Sequence, residues 1–334
     1  MSTVTTTPDE PVEPRPNRAA AAGEWVIDRP LVMLSVILVL LLIACEIYSP
    51  GYFSAERVGT ILSFSAPLAF LAAGQTLVML TAGIDLSVAA TATAAAYIMA
   101  GQASRGTATA LAIAVLVGLV VGLINGIGVG IFRVNPLIMT LGMASIVSGY
   151  LTVSAQSFVT GVPLVPDFVR ELAVGNLIGE AIPKSLLLWV PVAVLILLGL
   201  RYSGYGRTLY AVGDNPIACR LAGVRVWQVL LVTYVLCSIL AAVGGVLYVG
   251  VINAADLQLV SPYLLPSVAA VVIGGTSIFG GIGGYSGTIL GAIILVVLDS
   301  LLTLLDASQA VKQIIYGSII LLLAWLYATS TKRV

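Results

Sequence analysis

Not one histidine occurs in the 334 residues. Imidazole general bases, His-ligated metals and His-ligated haem are therefore unavailable. Only three lysines are present, Lys184, Lys312 and Lys332, and none closes a Gly-x-x-x-x-Gly-Lys-Ser/Thr loop. The nearest look-alike, Gly179 to Ser185, places Pro183 where such a loop needs glycine, so ATP binding of the P-loop kind is excluded. The three cysteines, Cys45, Cys219 and Cys237, have neither metal nor redox spacing. Charge is equally scarce. Fifteen basic and 15 acidic residues make up 9% of the chain, against roughly 25% in soluble domains. They cancel, which leaves no broad electrostatic footprint for nucleic acid. No catalytic residue, cofactor or metal is expected in this chain.

What is abundant is apolar surface, at 59% hydrophobic residues and a mean hydropathy of +1.09. This composition predicts an all-α, polytopic integral membrane protein in contact with lipid. Residues 1–29, rich in Thr, Pro, Ala and charge, cannot bury enough apolar surface to offset the entropy of ordering. They read as a disordered cytoplasmic tail. The remainder, 30–334, reads as one transmembrane domain. Ten apolar runs follow: Leu31 to Tyr48, Val58 to Ala82, Val88 to Gln102, Thr107 to Phe132, Pro136 to Ala155, Ser185 to Leu200, Val226 to Ile252, Leu264 to Phe279, Ser286 to Leu305 and Val311 to Ala328. An even number puts both termini on one side. With that side cytoplasmic, ten basic residues lie inside and only Arg57, Arg105, Arg170, Lys184 and Lys312 outside, as the positive-inside rule favours. The runs divide into two inverted halves of five helices. Ala82-Gly-Ile-Asp-Leu-Ser-Val88 is echoed by Asn253-Ala-Ala-Asp-Leu-Gln-Leu-Val260, each just ahead of the third helix of its half.

Several motifs stand out. Gly118, Gly122, Gly126 and Gly130 line one face of the fourth run, and in lipid such a face lets helix backbones pack closely. Asn125, beside that row, needs a partner, either across a helix interface or in a cavity. The stretch Ile273-Gly-Gly-Thr-Ser-Ile-Phe-Gly-Gly-Ile-Gly-Gly-Tyr285 matches no nucleotide-loop spacing and reads as a broken or tightly packed helix. Asp85 and Asp299 are the acids nearest the membrane interior, where charge is costly; Asp85 either caps the third helix or meets solute. Gln75, Asp85, Asn125, Asn253 and Asp256 are the candidates for lining a solute pathway. The hydrophilic segment 201–227 carries four arginines and the punctuation of a short helix: Asn215 as N-cap, Pro216 at the first position and Gly223 at the close. Ile217 and Leu221 give it an apolar stripe, for a partner protein or for the chain's own loops. The outer loop from Gln156 to Lys184 has room for a short helix near Asp167 to Leu172.

Taken together, Gly74-Gln-Thr-Leu-Val-Met-Leu-Thr-Ala-Gly-Ile-Asp-Leu-Ser-Val88, Asn135-Pro-Leu-Ile-Met-Thr-Leu-Gly142, Gly206-Arg-Thr-Leu-Tyr-Ala-Val-Gly-Asp-Asn215 and Val272-Ile-Gly-Gly-Thr-Ser277 resemble the ribose/xylose/arabinose-type permeases of bacterial ABC importers. Small-for-small departures occur at Ala82, Ala89, Ala90 and Cys219. The resemblance implies a permease subunit in the bacterial plasma membrane, importing a monosaccharide or related small polar solute. It implies three partners: an ABC ATPase with two fused ATPase domains, an extracytoplasmic sugar-binding protein and a second copy of the permease. It also implies that Asn215, Pro216, Ile217, Arg220, Leu221 and Gly223 form a coupling helix for the ATPase. The residues alone leave room for an ion- or proton-coupled carrier that acts without an ATPase.

Overall fold

The computed structural model describes residues 30–158 and 164–331; the tail 1–29 lies outside the described residues. The described chain is all-α apart from one minimal antiparallel hairpin, β1 (Asn176–Ile178) with β2 (Ile182–Pro183). Thirteen helices run in order: α1 (Pro30–Tyr48), α2 (Ala55–Leu80), α3 (Val88–Gly101), α4 (Thr107–Gly130), α5 (Pro136–Phe158), α6 (Asp167–Val174), α7 (Leu186–Tyr202), α8 (Gly204–Asp214), α9 (Pro216–Leu221), α10 (Val226–Ile252), α11 (Leu264–Ile273), α12 (Tyr285–Leu304) and α13 (Gln309–Thr331).

Each of the ten apolar runs contains a helix, but they differ in reach. Among the described residues, six are long and apolar enough to cross a membrane: α1, α2, α4, α5, α10 and α12. The pair α7 and α8, bent by 69° at Ser203, makes a seventh if taken as one span. The remaining apolar helices are α3 and α11, of 14 and 10 residues, and α13, whose described side chains end at Trp325. At 1.5 Å per residue, the 10 residues of α11 cover about half of a hydrocarbon core of about 30 Å.

The eighth run predicts helix to Phe279, yet α11 stops at Ile273. Gly275, Gly280, Gly281 and Gly283 all have positive φ, which a right-handed helix cannot include. The chain closes there in a turn, with Ser277 N donating to Ile282 O at 3.0 Å. A second departure is α8, an amphipathic helix inside the hydrophilic segment. Ser203 caps it through a bond from Gly206 N, and Leu209 and Val212 are buried beneath it.

The core is built on α10, which packs most extensively on α4, then on α2 and α3. The glycine row of α4 makes this possible. A Cβ at Gly118, Gly122, Gly126 or Gly130 would lie 2.6–2.8 Å from backbone atoms of Ser238, Val235, Leu231 and Trp227 respectively. The two helices therefore touch main chain to main chain, the close approach that dispersion forces require when lipid removes the hydrophobic drive. Around this pair, α1, α5, α7 and α13 turn large apolar side chains outward, including Leu40, Val153, Leu195 and Leu321.

Candidate functional site

Three features gather the chemistry of this chain. The first is the α8–α9 segment. Asn215, in extended conformation at φ −149°, accepts from Ile217 N at 3.1 Å and Ala218 N at 2.9 Å, satisfying two of the N–H groups that a helix start leaves unpaired. Pro216 occupies the first helical position. Cys219 is buried beneath the helix, whereas Ile217 and Leu221 are 62% and 86% exposed and Arg220 points to solvent. Gly223 ends the unit at φ +82°, a left-handed conformation that suits glycine. Six residues are too few for a helix that holds itself in water. The segment is instead anchored through α8. Gly213 abuts the Leu80 carbonyl at the end of α2 and lies where a Cβ would come 2.7 Å from Gly281 N. Gly281 N itself donates to Leu80 O at 3.1 Å, and Tyr210 Oη donates to Gly283 O at 2.8 Å. Thus α8 is fixed both to the end of α2 and to the glycine turn between α11 and α12.

The second feature is a buried polar network around the α2–α3 turn. Gln75 Nε2 donates to Asp85 O at 2.6 Å, and Asp85 N returns a bond to Gln75 Oε1 at 3.2 Å. Asp85 Oδ1 accepts from both the backbone N and the Oγ of Ser87, at 2.8 and 2.6 Å. Asn125 Nδ2 reaches across from α4 to Ser87 Oγ at 2.9 Å. Thr140, on α5, accepts from Leu86 N at 3.0 Å. Gln75, Asp85, Ser87, Asn125 and Thr140 are all fully buried. Asp85 therefore steadies the residue at the start of α3 rather than the helix's first free N–H groups. Asn253 and Asp256 lie elsewhere, in the exposed turn after α10. There Asn253 adopts a left-handed φ of +55° and Asp256 Oδ1 accepts from Gln258 N at 2.8 Å. Of the five pathway candidates, the fold joins Gln75, Asp85 and Asn125 and sets Asn253 and Asp256 apart.

The third feature is a cavity of about 370 Å³ between α2, α10, α11, α12 and α13. Phe64, Tyr248 and Tyr263 form an aromatic wall, with Tyr248 and Tyr263 centroids 4.6 Å apart and Phe64 edge-on to Tyr248 at 6.5 Å. Facing them, Asp299 Oδ1 pairs with Lys312 Nζ at 2.9 Å and accepts from Tyr316 Oη at 2.9 Å. Lys312 also donates to Thr303 Oγ1 at 2.7 Å. The two charges are unequally covered: the Lys312 side chain is 10% exposed, the Asp299 side chain 48%. Ser300 Oγ accepts from Tyr52 Oη at 2.8 Å. Sequence singles out Asp299 by its place in an apolar run, but nothing in the spacing joins it to Lys312, Tyr248 or Tyr263. The one signal was a second charge, Lys312, near the start of the last run.

Residues 57–324 match the family described as branched-chain amino acid transport system / permease component. The ribose import permease protein RbsC of Escherichia coli strain K12 is 35% identical over 305 residues, covering 89% of this chain and 92% of that protein. The fructose import permease protein FrcC of Rhizobium meliloti is 34% identical, with coverage of 88% and 84%. The autoinducer 2 import system permease protein LsrC of Yersinia pseudotuberculosis is 33% identical, with coverage of 81% and 77%. No solved structure matches the chain. With four-fifths of its length covered by the family and near-complete relatives above 30% identity, the chain belongs to the transport-system permease components.

Proposed function

We propose that this chain is the membrane subunit of an ATP-driven importer in the bacterial plasma membrane, moving a monosaccharide or related small polar solute delivered by an extracytoplasmic binding protein. The observation that carries this reading is the α8–α9 segment. It presents Ile217, Arg220 and Leu221 to an absent surface while its base is seated on the α2–α3 and α11–α12 connections. An exposed apolar stripe on a capped two-turn helix is what a groove on a partner protein recognises. Its seat makes a displacement of α9 reach two of the bundle's connections at once. ATP hydrolysis then belongs to the partner, an ATPase with two fused domains, and the permease works as a pair of identical chains. The names of the relatives, ribose, fructose and autoinducer 2 import permeases, support a sugar-like cargo.

In this reading the ten apolar helices cross as two inverted halves of five, with both termini on the ATPase side. The connections after α2, α4 and α11 meet α8–α9 at the inner face, and those after α1, α10 and α12 lie at the outer face. Asn253 and Asp256 stand at the outer mouth of the pathway. Gln75, Asp85 and Asn125 serve it from within by holding the α2–α3 turn in place. Leu221→Asp tests the reading: the variant should reach the membrane at normal level and fail to retain the ATPase on co-purification. Undiminished retention refutes the docking role. Gradient-driven uptake by the chain alone in liposomes, with no ATPase, refutes the importer.

A further inference from the structure

We propose that the aromatic cavity, together with an apolar slot beside it, holds one anionic phospholipid, its phosphate on Arg57 and one acyl chain in the slot. This goes beyond the import function and needs only that the chain sits in a membrane. The charges around the cavity do not balance. Lys312 and Asp299 pair with each other, whereas Arg57, also in the lining, has no carboxylate partner among the described residues. Arg57 instead lies over the Tyr52 ring, 5.6 Å from its centroid. One positive charge is therefore left over, and a guanidinium is the side-chain group that best matches the oxygens of a phosphate. At about 370 Å³ the cavity has room for a phosphate and a small polar head. The half-exposed Asp299 side chain offers an acceptor to a head-group hydroxyl.

The slot decides between a lipid and a free anion. It encloses about 140 Å³ between α1, α2 and α12. Leu38, Leu42, Phe53 and Val297 are among its walls, and the hydroxyl of its one polar residue, Tyr52, is already donated to Ser300. Water finds no partners in such a place, and a soluble phosphate has no part that fits it. A hydrocarbon chain does. Ile61 lines both spaces, so the head and tail sites adjoin at one side chain. The approach is from lipid: α1 turns Val39, Leu40 and Ile43 outward, and Phe53 at the slot is half exposed. A cation beside an apolar slot on a lipid-facing helix is an arrangement that a phospholipid matches and neither a sugar nor a phosphate ion does.

The test is native mass spectrometry of the full chain in a mild detergent, titrated with phosphatidylglycerol or phosphatidylethanolamine of equal chain length. Phosphatidylglycerol, which brings a net negative charge, should bind at about tenfold lower concentration than the zwitterion, the scale of one charge-assisted contact. Arg57→Gln, at an exposed position, should remove that preference, and Arg57→Lys should restore part of it. Leu42→Trp, which fills the slot, should weaken both lipids alike. The lyso forms, which keep one chain, should show the same preference in the unmodified chain, a readout independent of how any variant folds. Neither millimolar glycerol 3-phosphate, a head group without chains, nor millimolar D-ribose should displace the bound lipid. Equal binding of the two lipids, or a preference that survives Arg57→Gln, overturns the inference. Binding unweakened by Leu42→Trp, or a preference lost in the lyso forms, overturns the acyl site. Displacement by glycerol 3-phosphate assigns the cavity to a soluble anion and displacement by ribose assigns it to the cargo, and either overturns the proposal. Import is not part of the readout, so no result here bears on the proposed function.

Discussion

Asn215 decides whether the six residues after it are a helix or a loop. Its side chain supplies the acceptor for two N–H groups at once, and no other polar side chain in the segment is placed to replace it. Asn215→Ala should therefore cost about 1 kcal/mol of local helix stability, about a fivefold loss of docking-competent population. Titrating the ATPase onto the permease in nanodiscs should show a weakening of that size with unchanged membrane level. Punctuation of this kind was legible because it is local: the N-cap, the first-turn proline and the closing glycine at Gly223 each act within a few residues of themselves. The partners of Gln75, Asp85 and Asn125 were not legible. Polar groups in apolar runs announce that a partner exists, but Ser87 and Thr140 meet them only once α2, α4 and α5 are folded together.

Among the elements, α4 and α10 form the spine, and the spacing of four glycines named the face of α4 in advance. It could not name α10 as the helix that fills it. Gly122→Leu would drive a side chain into the main chain of Val235 and Tyr234, and overpacking of that kind costs about 1–3 kcal/mol or more. Thermal unfolding in detergent should show a lowered midpoint or no folded protein, whereas Gly142→Ala, with nothing within 4 Å, should be neutral. At the other face, α6 is tied to the segment before α7 by Lys184 and Glu171, 2.5 Å apart. The Lys184 ammonium holds the Glu171 carboxyl below the usual carboxylate range. A lowered folded value means the tie is present above that range and lost as pH falls through it. Amide protection of Asp167–Val174, corrected for intrinsic exchange, should be level from pH 8 to 6 and drop in acid. Both partners are partly exposed, so high salt should shrink the drop, and Lys184→Met should remove it. Element positions were the most readable layer, because long apolar runs force helices in lipid. Glycine cut α11 short at Ile273, whereas α8 was hidden because its short stripe of Leu209 and Val212 lies in a segment that reads as hydrophilic and arginine-rich.

At the scale of the molecule, the cavity draws on residues from Arg57 to Tyr316, and no local signal could have assembled them. Such a site exists only after five helices agree on their packing. The seat of α8 has a different character. There Gly213, Leu80 and Gly281 meet through main-chain atoms, a contact that lasts only while positions 213 and 281 stay glycine. On the proposed coupling, force passed through that seat carries no imprint of the cargo. If that coupling holds, a lineage of such permeases can change its diet by altering side chains elsewhere, so long as these two glycines stay in place.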